Sequence, residues 1–183
     1  MIYVFLANGF EESEAVVTVD VIRRCDLDVK TVSVDEDLEH FVTGAHGIAI
    51  KADILISEVS YDDMDAIVLP GGMPGTKNLE NSADVRQAIK FCADNDKLIA
   101  AICAAPSILG HMGLLYGKKA TCFPGFEREL HCGVFTGSAV QVDGNIITAD
   151  GPGSAVLFGE AIAAYFVGDE QARSITETMQ CRF

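Results

Sequence analysis

The chain alternates between short runs that are apolar at every position and longer stretches that are apolar on one side only. Val29 to Val34 reads as a strand in which valines alternate with polar residues, while residues 2–7, 66–69 and, after its leading Lys97, 97–102 are runs of the first kind. Their length and continuous Val, Ile, Leu and Ala content predict strands covered on both faces. Residues 11–25 and 82–95 are of the second kind. In the first of these, Val16, Val19 and Ile22 share one helical stripe. Residues 41–56 read as shorter β segments around Gly44 and Gly47, and residues 119–122 as a further strand of the sheet. Two segments flank Asp143-Gly144, a strong signal for a two-residue hairpin turn. A helix beginning after strand 97–102 runs to about Leu115. A last helix over 154–167 follows Gly151-Pro152-Gly153-Ser154 as breaker and cap, and Gly168-Asp169 opens a polar tail. Strands alternating with helices predict an α/β fold with a mainly parallel sheet. There is no internal repeat, linker or low-complexity tract, so residues 1–183 are expected to form a single domain.

Composition narrows the partners. Hydrophobic residues make up 49% of the chain, and the mean hydropathy is +0.26, as suits a sheet buried on both faces. No apolar run approaches the roughly 20 residues of a membrane helix. Met1 leads straight into the first strand with no basic segment before it, so the expectation is a cytoplasmic protein without a signal peptide. Thirteen basic against twenty-seven acidic residues give a formal charge of −14. That argues against a nucleic-acid partner, since phosphates would be repelled rather than neutralised. The densest acidic stretch, residues 35–39, reads as a solvated loop. Cysteines at 25, 92, 103, 122, 132 and 181 form no C-x-x-C pair and read as reduced thiols. Cys122, His131 and Cys132 match no zinc spacing and lack a fourth ligand, so neither metal nor cofactor is expected.

One thiol stands out by position. Cys103 ends the apolar run 97–102 and opens the next helix, with only Ala104 and Ala105 beside it. Ligands and chemistry collect at the carboxyl ends of strands in open α/β sheets, and a strand-to-helix corner pushes its side chain clear of the sheet. The plain alternative is that Cys103 is a small buried hydrophobe. Three other turns should meet at the same edge. Residues 8–14 carry Glu11, Glu12 and Glu14 at a helix start, where carboxylates are welcome. Glu11 and Glu12 read as such helix-start acids. Glu14, one turn in and beside Ala15, Val16 and Val17, is either another or a protonated carboxyl able to donate to a thiolate. Gly71-Gly72 follows a buried strand and can aim backbone N–H groups at an oxyanion, though many such pairs are only turns. Gly151-Pro152-Gly153 is adequately explained as a helix start. No H-x-E pair follows Cys103, and none of His40, His46, His111 and His131 occupies a base position, which argues against a cysteine protease or amide hydrolase. Moving a thiol from about 8.5 to about 5.5 takes roughly 4 kcal/mol, and a helix start supplies about 0.3–2. The remainder would fall to Glu14, with the two groups titrating as a coupled pair.

Residues 9–14, 21–24, 68–72, 100–106 and 148–153, in this order and spacing, resemble the ThiJ/PfpI superfamily, in the branch of the Parkinson's-disease protein deglycase and its bacterial relatives. The resemblance spans about residues 2–168. It implies a flavodoxin-like three-layer sandwich of the class I glutamine amidotransferase-like kind, a nucleophile elbow at Cys103, and a homodimer. It also implies catalysis by Cys103 with a protonated Glu14, and oxyanion donors in the backbone N–H groups of Gly72 and Ala104. Pocket or interface positions implied are Arg24, Gly71, Pro152, His46 (where the family carries a second arginine) and Phe123. The last replaces a histidine of the family's human-type members, in the segment Thr121-Cys122-Phe123-Pro124. The activity implied is glyoxalase or deglycase chemistry on a small reactive carbonyl through a Cys103 hemithioacetal. A redox-responsive or chaperone-like protein sensing oxidation at Cys103 is the alternative, and a peptidase or amidase fits less well.

Overall fold

The computed structural model describes residues 1–35 and 40–181, so all but Asp35 of the acidic stretch 35–39 lies outside the described residues. The chain runs β1 (Ile2–Leu6), α1 (Glu12–Arg24), β2 (Val29–Ser33), β3 (Phe41–Thr43), β4 (Ala49–Lys51), β5 (Ile54–Leu55) and β6 (Ala66–Leu69). Then follow α2 (Gly75–Asn81), α3 (Ala83–Asp94), β7 (Leu98–Ile102), α4 (Pro106–His111), β8 (Lys119–Ala120), β9 (Val134–Phe135), β10 (Val140–Asp143), β11 (Ile146–Ala149), α5 (Ala155–Val167) and α6 (Asp169–Thr178). A seven-stranded sheet has the order β10-β11-β7-β6-β1-β2-β5, parallel except where β10 meets β11.

The period of two along each strand sorts its side chains between two cores. Ile2, Val4 and Leu6, with Ala66, Val68, Leu98, Ala100 and Ile102, pack under α1 and α5. Tyr3 and Phe5, with Ile67, Leu69, Ile99 and Ala101, pack against α3 and α4 on the other face. These strands are apolar at every position because both faces are covered, and the result is the expected α/β three-layer sandwich. The carboxyl ends of β1, β6 and β7 lie side by side and deliver residues 8–14, 70–75 and 103–105 to one edge.

Several expected boundaries are corrected. The helix after Cys103 stops at His111, well before Leu115. A Cβ on Gly110 would come within 2.1 Å of the Glu129 carbonyl, and Gly113 turns the chain with a φ of 74°. Residues 119–120 do not extend the main sheet but pair with β9 in a separate two-stranded piece, and β3 and β4 form another. The hairpin turn falls on Gly144-Asn145 rather than Asp143-Gly144, because Asp143 pairs with Ile146 and the glycine takes φ of 63°. Ser154 precedes α5 but its hydroxyl bonds Asp150 Oδ1 at 2.5 Å instead of capping the helix. Two helices were unexpected: α2, and α6 in the polar tail, where Ala172 and Thr176 are buried.

Candidate active site

Cys103 occupies the sharp corner between β7 and α4 with φ of 64°. A side-chain-bearing residue in the left-handed region costs about 1–2 kcal/mol, so its surroundings must hold it there. They do so through three backbone bonds. Cys103 N–H donates to the Ala149 carbonyl at 2.9 Å, Ala105 N–H to Ile102 at 3.0 Å, and Phe123 N–H to the Cys103 carbonyl at 2.8 Å. The side chain is partly exposed, unlike those of Cys25, Cys92 and Cys122, which are buried.

Glu14 comes from the first turn of α1 and is 1% exposed. Its Oε2 accepts the Gly71 N–H at 2.7 Å, whereas Oε1 is buried with no hydrogen-bond partner. The carboxyl and the thiol are neighbours, and each shifts the other's titration. Burial raises the Glu14 carboxyl to about 7, against the Gly71 N–H and the thiol, which favour its anion. Burial first, then the Glu14 charge, push the Cys103 thiol up to about 12, against the N–H groups of Gly72 and Ala104, which both point at the sulfur. The helix start expected to favour a thiolate is thus outweighed by burial. At neutral pH the thiol keeps its proton while Glu14 stands near the middle of its titration, so an ionised Glu14 faces a protonated sulfur in part of the molecules.

Gly71 and Gly72 are what permit this approach. A Cβ on Gly71 would lie 2.6 Å from Cys103 Cβ and 2.9 Å from Glu14 Oε2. Gly72 has φ of 86°, and its Cβ would lie 2.4 Å from the Glu11 nitrogen. The pair is therefore more than a turn: Gly71 lets the strand end close on both side chains, and Gly72 lets it close on the backbone of residues 9–11.

This geometry accompanies a match to the DJ-1/PfpI family over residues 1–165. The chain belongs to the DJ-1/PfpI family. It is 38% identical over 179 residues to the DJ-1 homolog B of Arabidopsis thaliana, covering 97% of this chain but 40% of that protein. It therefore spans less than half the length of the Arabidopsis DJ-1 homologs A and B. The Parkinson disease protein 7 homolog of Danio rerio is 33% identical over 182 residues, covering 94% of this chain and 92% of that one. Among solved structures, oxidized Toxoplasma gondii DJ-1 superposes with a TM-score of 0.94 at 35% identity, over 100% of this chain and 98% of that one.

Cys103, Glu14, Gly71, Gly72 and Ala104 lie together at this sheet edge. Phe123 stands at its edge, 43% exposed, its ring 3.0 Å from where a Cβ on Gly151 would be, with Pro152 exposed beside them. Arg24 lies at the other end of α1, ten residues or about 15 Å from Glu14, and pairs with Asp20 at 2.8 Å. His46 is exposed and lies 2.9 Å from Glu12.

Glu12 is the residue that sequence reasoning misjudged. Instead of serving only the helix start, its Oε1 accepts the backbone N–H of His46 at 2.8 Å and of Ile48 at 3.3 Å, and its Oε2 meets His46 Nδ1. Burial raises its pKa, but these bonds prevail and bring it down to about 2. Gly44 leaves the room, since a Cβ there would fall 2.2 Å from the carboxyl carbon. Glu12 thereby clamps the β3–β4 turn against the start of α1, two residues from Glu14. The signal available was Gly44 in a short turn, which asks what approaches so closely.

Proposed function

We propose that this protein acts on small reactive carbonyls of the α-oxoaldehyde kind through a hemithioacetal on Cys103. The observation that carries this reading is the thiol held against Glu14 and two converging N–H groups. Glu14, ionised, takes the thiol proton as the sulfur attacks the aldehyde carbon. A C–S bond forms, the carbonyl π pair moves to oxygen, and Gly72 and Ala104 N–H groups receive the oxyanion. Glu14 then hands the proton to that oxygen. Removal of the hydrogen on the former aldehyde carbon and its return to the neighbouring carbonyl carbon turn the hemithioacetal into the thioester of a 2-hydroxy acid. Water cleaves the thioester and restores the thiol. The aldehyde carbon is oxidised, its neighbour is reduced, and no outside oxidant is needed. Phe123 occupies the edge position where a histidine would share the proton traffic, so Glu14 carries it alone. We read residues 1–183 as one catalytic unit, cytoplasmic and working as a homodimer.

Methylglyoxal consumption by purified wild type, Cys103→Ser and Glu14→Gln tests this. Turnover in wild type that both changes abolish supports it, and turnover surviving Cys103→Ser overturns it. A second reading has its own support. A partly exposed thiol facing two N–H donors also suits oxidation by peroxide, one oxygen at a time, to a sulfinate those donors hold, and the Toxoplasma relative was solved in an oxidized form. Inert wild type whose Cys103 gains two oxygens at low peroxide, read by mass spectrometry, would select this alternative.

A further inference from the structure

Away from the thiol, a second set of chemistry-bearing groups gathers where α4 ends. His111 is the last residue of α4, the turn 127–130 carries Glu129, and His131 follows with φ of 46°. One ligand atom from each of these three exposed side chains lies within 4.8 Å of the other two. His111 Nε2 stands 2.9 Å from Glu129 Oε2, while its Nδ1 stands 2.5 Å from Glu80 Oε1 near the end of α2. The two imidazole rings have centroids 6.0 Å apart.

The backbone beneath is locked. Leu130 is fully buried, and Gly110 touches the turn so closely that a Cβ would lie 2.1 Å from the Glu129 carbonyl and 2.6 Å from that of Leu130. The side chains are exposed but spring from elements that cannot drift apart. Two imidazoles and one carboxylate form a donor set that zinc accepts, with water in the fourth position. Bonds of about 2.1 Å place tetrahedral donors about 3.4 Å apart, within reach of small side-chain rotations. Glu80, on the far nitrogen of His111, fixes its tautomer and ring direction as outer carboxylates do at histidine-ligated zinc. With neutral imidazoles, Glu80 and Glu129 balance a charge of +2. The other group of this kind among the described residues, Glu11, Glu12 and His46, offers one imidazole, and its Glu12 is already taken up by backbone N–H groups.

We propose that His111 Nε2, Glu129 and His131 bind one zinc ion per chain, with Glu80 positioning His111. The ion ties the ends of α2 and α4 to the turn 127–130. The other ends of those helices, at Gly75 and Pro106, adjoin the cysteine site.

Calorimetric titration of Zn²⁺ into the reduced, metal-stripped full chain at pH 7.5 tests this. One tight site per chain is expected, weakened at least tenfold by Glu129→Gln and by His131→Asn, in which asparagine keeps the left-handed backbone. Glu80→Gln is expected to cost about tenfold. Cys103→Ser, Cys132→Ser and His46→Ala should bind as wild type does. Cobalt(II) in the same site should show ligand-field bands without thiolate charge transfer. At a hundredfold excess of zinc over Kd, Tm should rise by about 5–10 °C, and His131→Asn should abolish the rise. Absence of binding at micromolar zinc overturns the proposal. So does binding indifferent to Glu129→Gln and His131→Asn in variants whose circular dichroism matches wild type, or binding lost in either cysteine variant.

Discussion

At the scale of single residues, the site sets a carboxyl and a thiol side by side, each shifted by burial and by the other. Burial sets the direction for Glu14, whose carboxyl rises from its ordinary value of 4.5 to about 7. A native carboxyl with a raised pKa binds more protons than the unfolded chain between those values, so stability falls as pH rises from about 4.5 to 7. Two and a half units correspond to about 3 kcal/mol, fully felt above pH 7. Glu14→Gln removes that charge while its amide still accepts from Gly71 and can donate to sulfur. We expect Glu14→Gln to raise Tm by several degrees at pH 8 and to change it little at pH 4.5, as read by thermal melts across pH. Its thiol should also titrate below that of wild type, whereas in Glu14→Leu, which offers no donor, the thiol should titrate above that of Glu14→Gln. Coincident alkylation rates against pH in all three proteins would mean that Glu14 does not act on the sulfur. Gly71→Ala makes a steric prediction. Its Cβ would meet Cys103 Cβ at 2.6 Å, and neither partner is a flexible chain end. Overpacking of this kind costs about 1–3 kcal/mol, so denaturant unfolding should show that loss, together with loss of Cys103 reactivity.

Between residues and the whole lie the elements, and here legibility divides by mechanism. β1, β6 and β7 were readable because a parallel strand covered on both faces must be apolar at every position. The corner at Cys103 was readable because such a strand ends there and small residues follow. The helix α6 was not, since only Ala172 and Thr176 are buried, and a ten-residue helix resting on so little reads as a tail. The helix α2 begins at Gly75, a residue that argues against helix, because Phe10 N stands only 2.5 Å from where its Cβ would be. That approach joins residues distant in the chain, and no local pattern reports it. Glu12 and Glu14 show the same limit. Two residues apart on one helix, they differ only in what other elements bring: Gly71 and Cys103 to Glu14, and the β3–β4 turn to Glu12. The clamp yields its own prediction. A carboxylate lowered to about 2 adds stability above its unfolded value of 4.5 and loses it as pH falls toward 2. Glu12→Gln should therefore melt below wild type at pH 7, and the gap should close by pH 2–3. A constant gap across that range would assign the effect to packing and not to charge.

For the whole molecule, the question is what a chain of charge −14 presents to a second copy of itself. Bringing two such chains together adds repulsion, so an interface must be apolar at its centre and carry the scarce cations. The face of α1 meets both conditions. Val16 is 48% exposed, one turn beyond Glu12, and Ile48, whose N–H Glu12 accepts, is 58% exposed. Val16, Val19 and Ile50 line one hollow together with Arg23 and Asp53. Arg23 is paired with Asp53 and Arg24 with Asp20, so the arginines of this helix lie beside the apolar strip with their charge partly balanced. No helix among the described residues is long and apolar enough to cross a membrane, so a bilayer-spanning helix does not account for this exposed strip. Proteins of the DJ-1/PfpI family are commonly dimeric, which makes a second copy the occupant to test at this face. Seated there, α1 would hold the Glu12 clamp and the first turn that carries Glu14 against a second chain, making the cysteine site stiffer in the pair than in one copy. We expect sedimentation at micromolar concentration to show a species of twice 19.5 kDa. Val16→Asp, which places a charge at the centre of the strip without touching Cys103 or Glu14, should shift it to 19.5 kDa. If wild type sediments as a single chain, the strip is not a homodimer face, and the stiffness of the site must come from Glu12 and Gly71 within one copy.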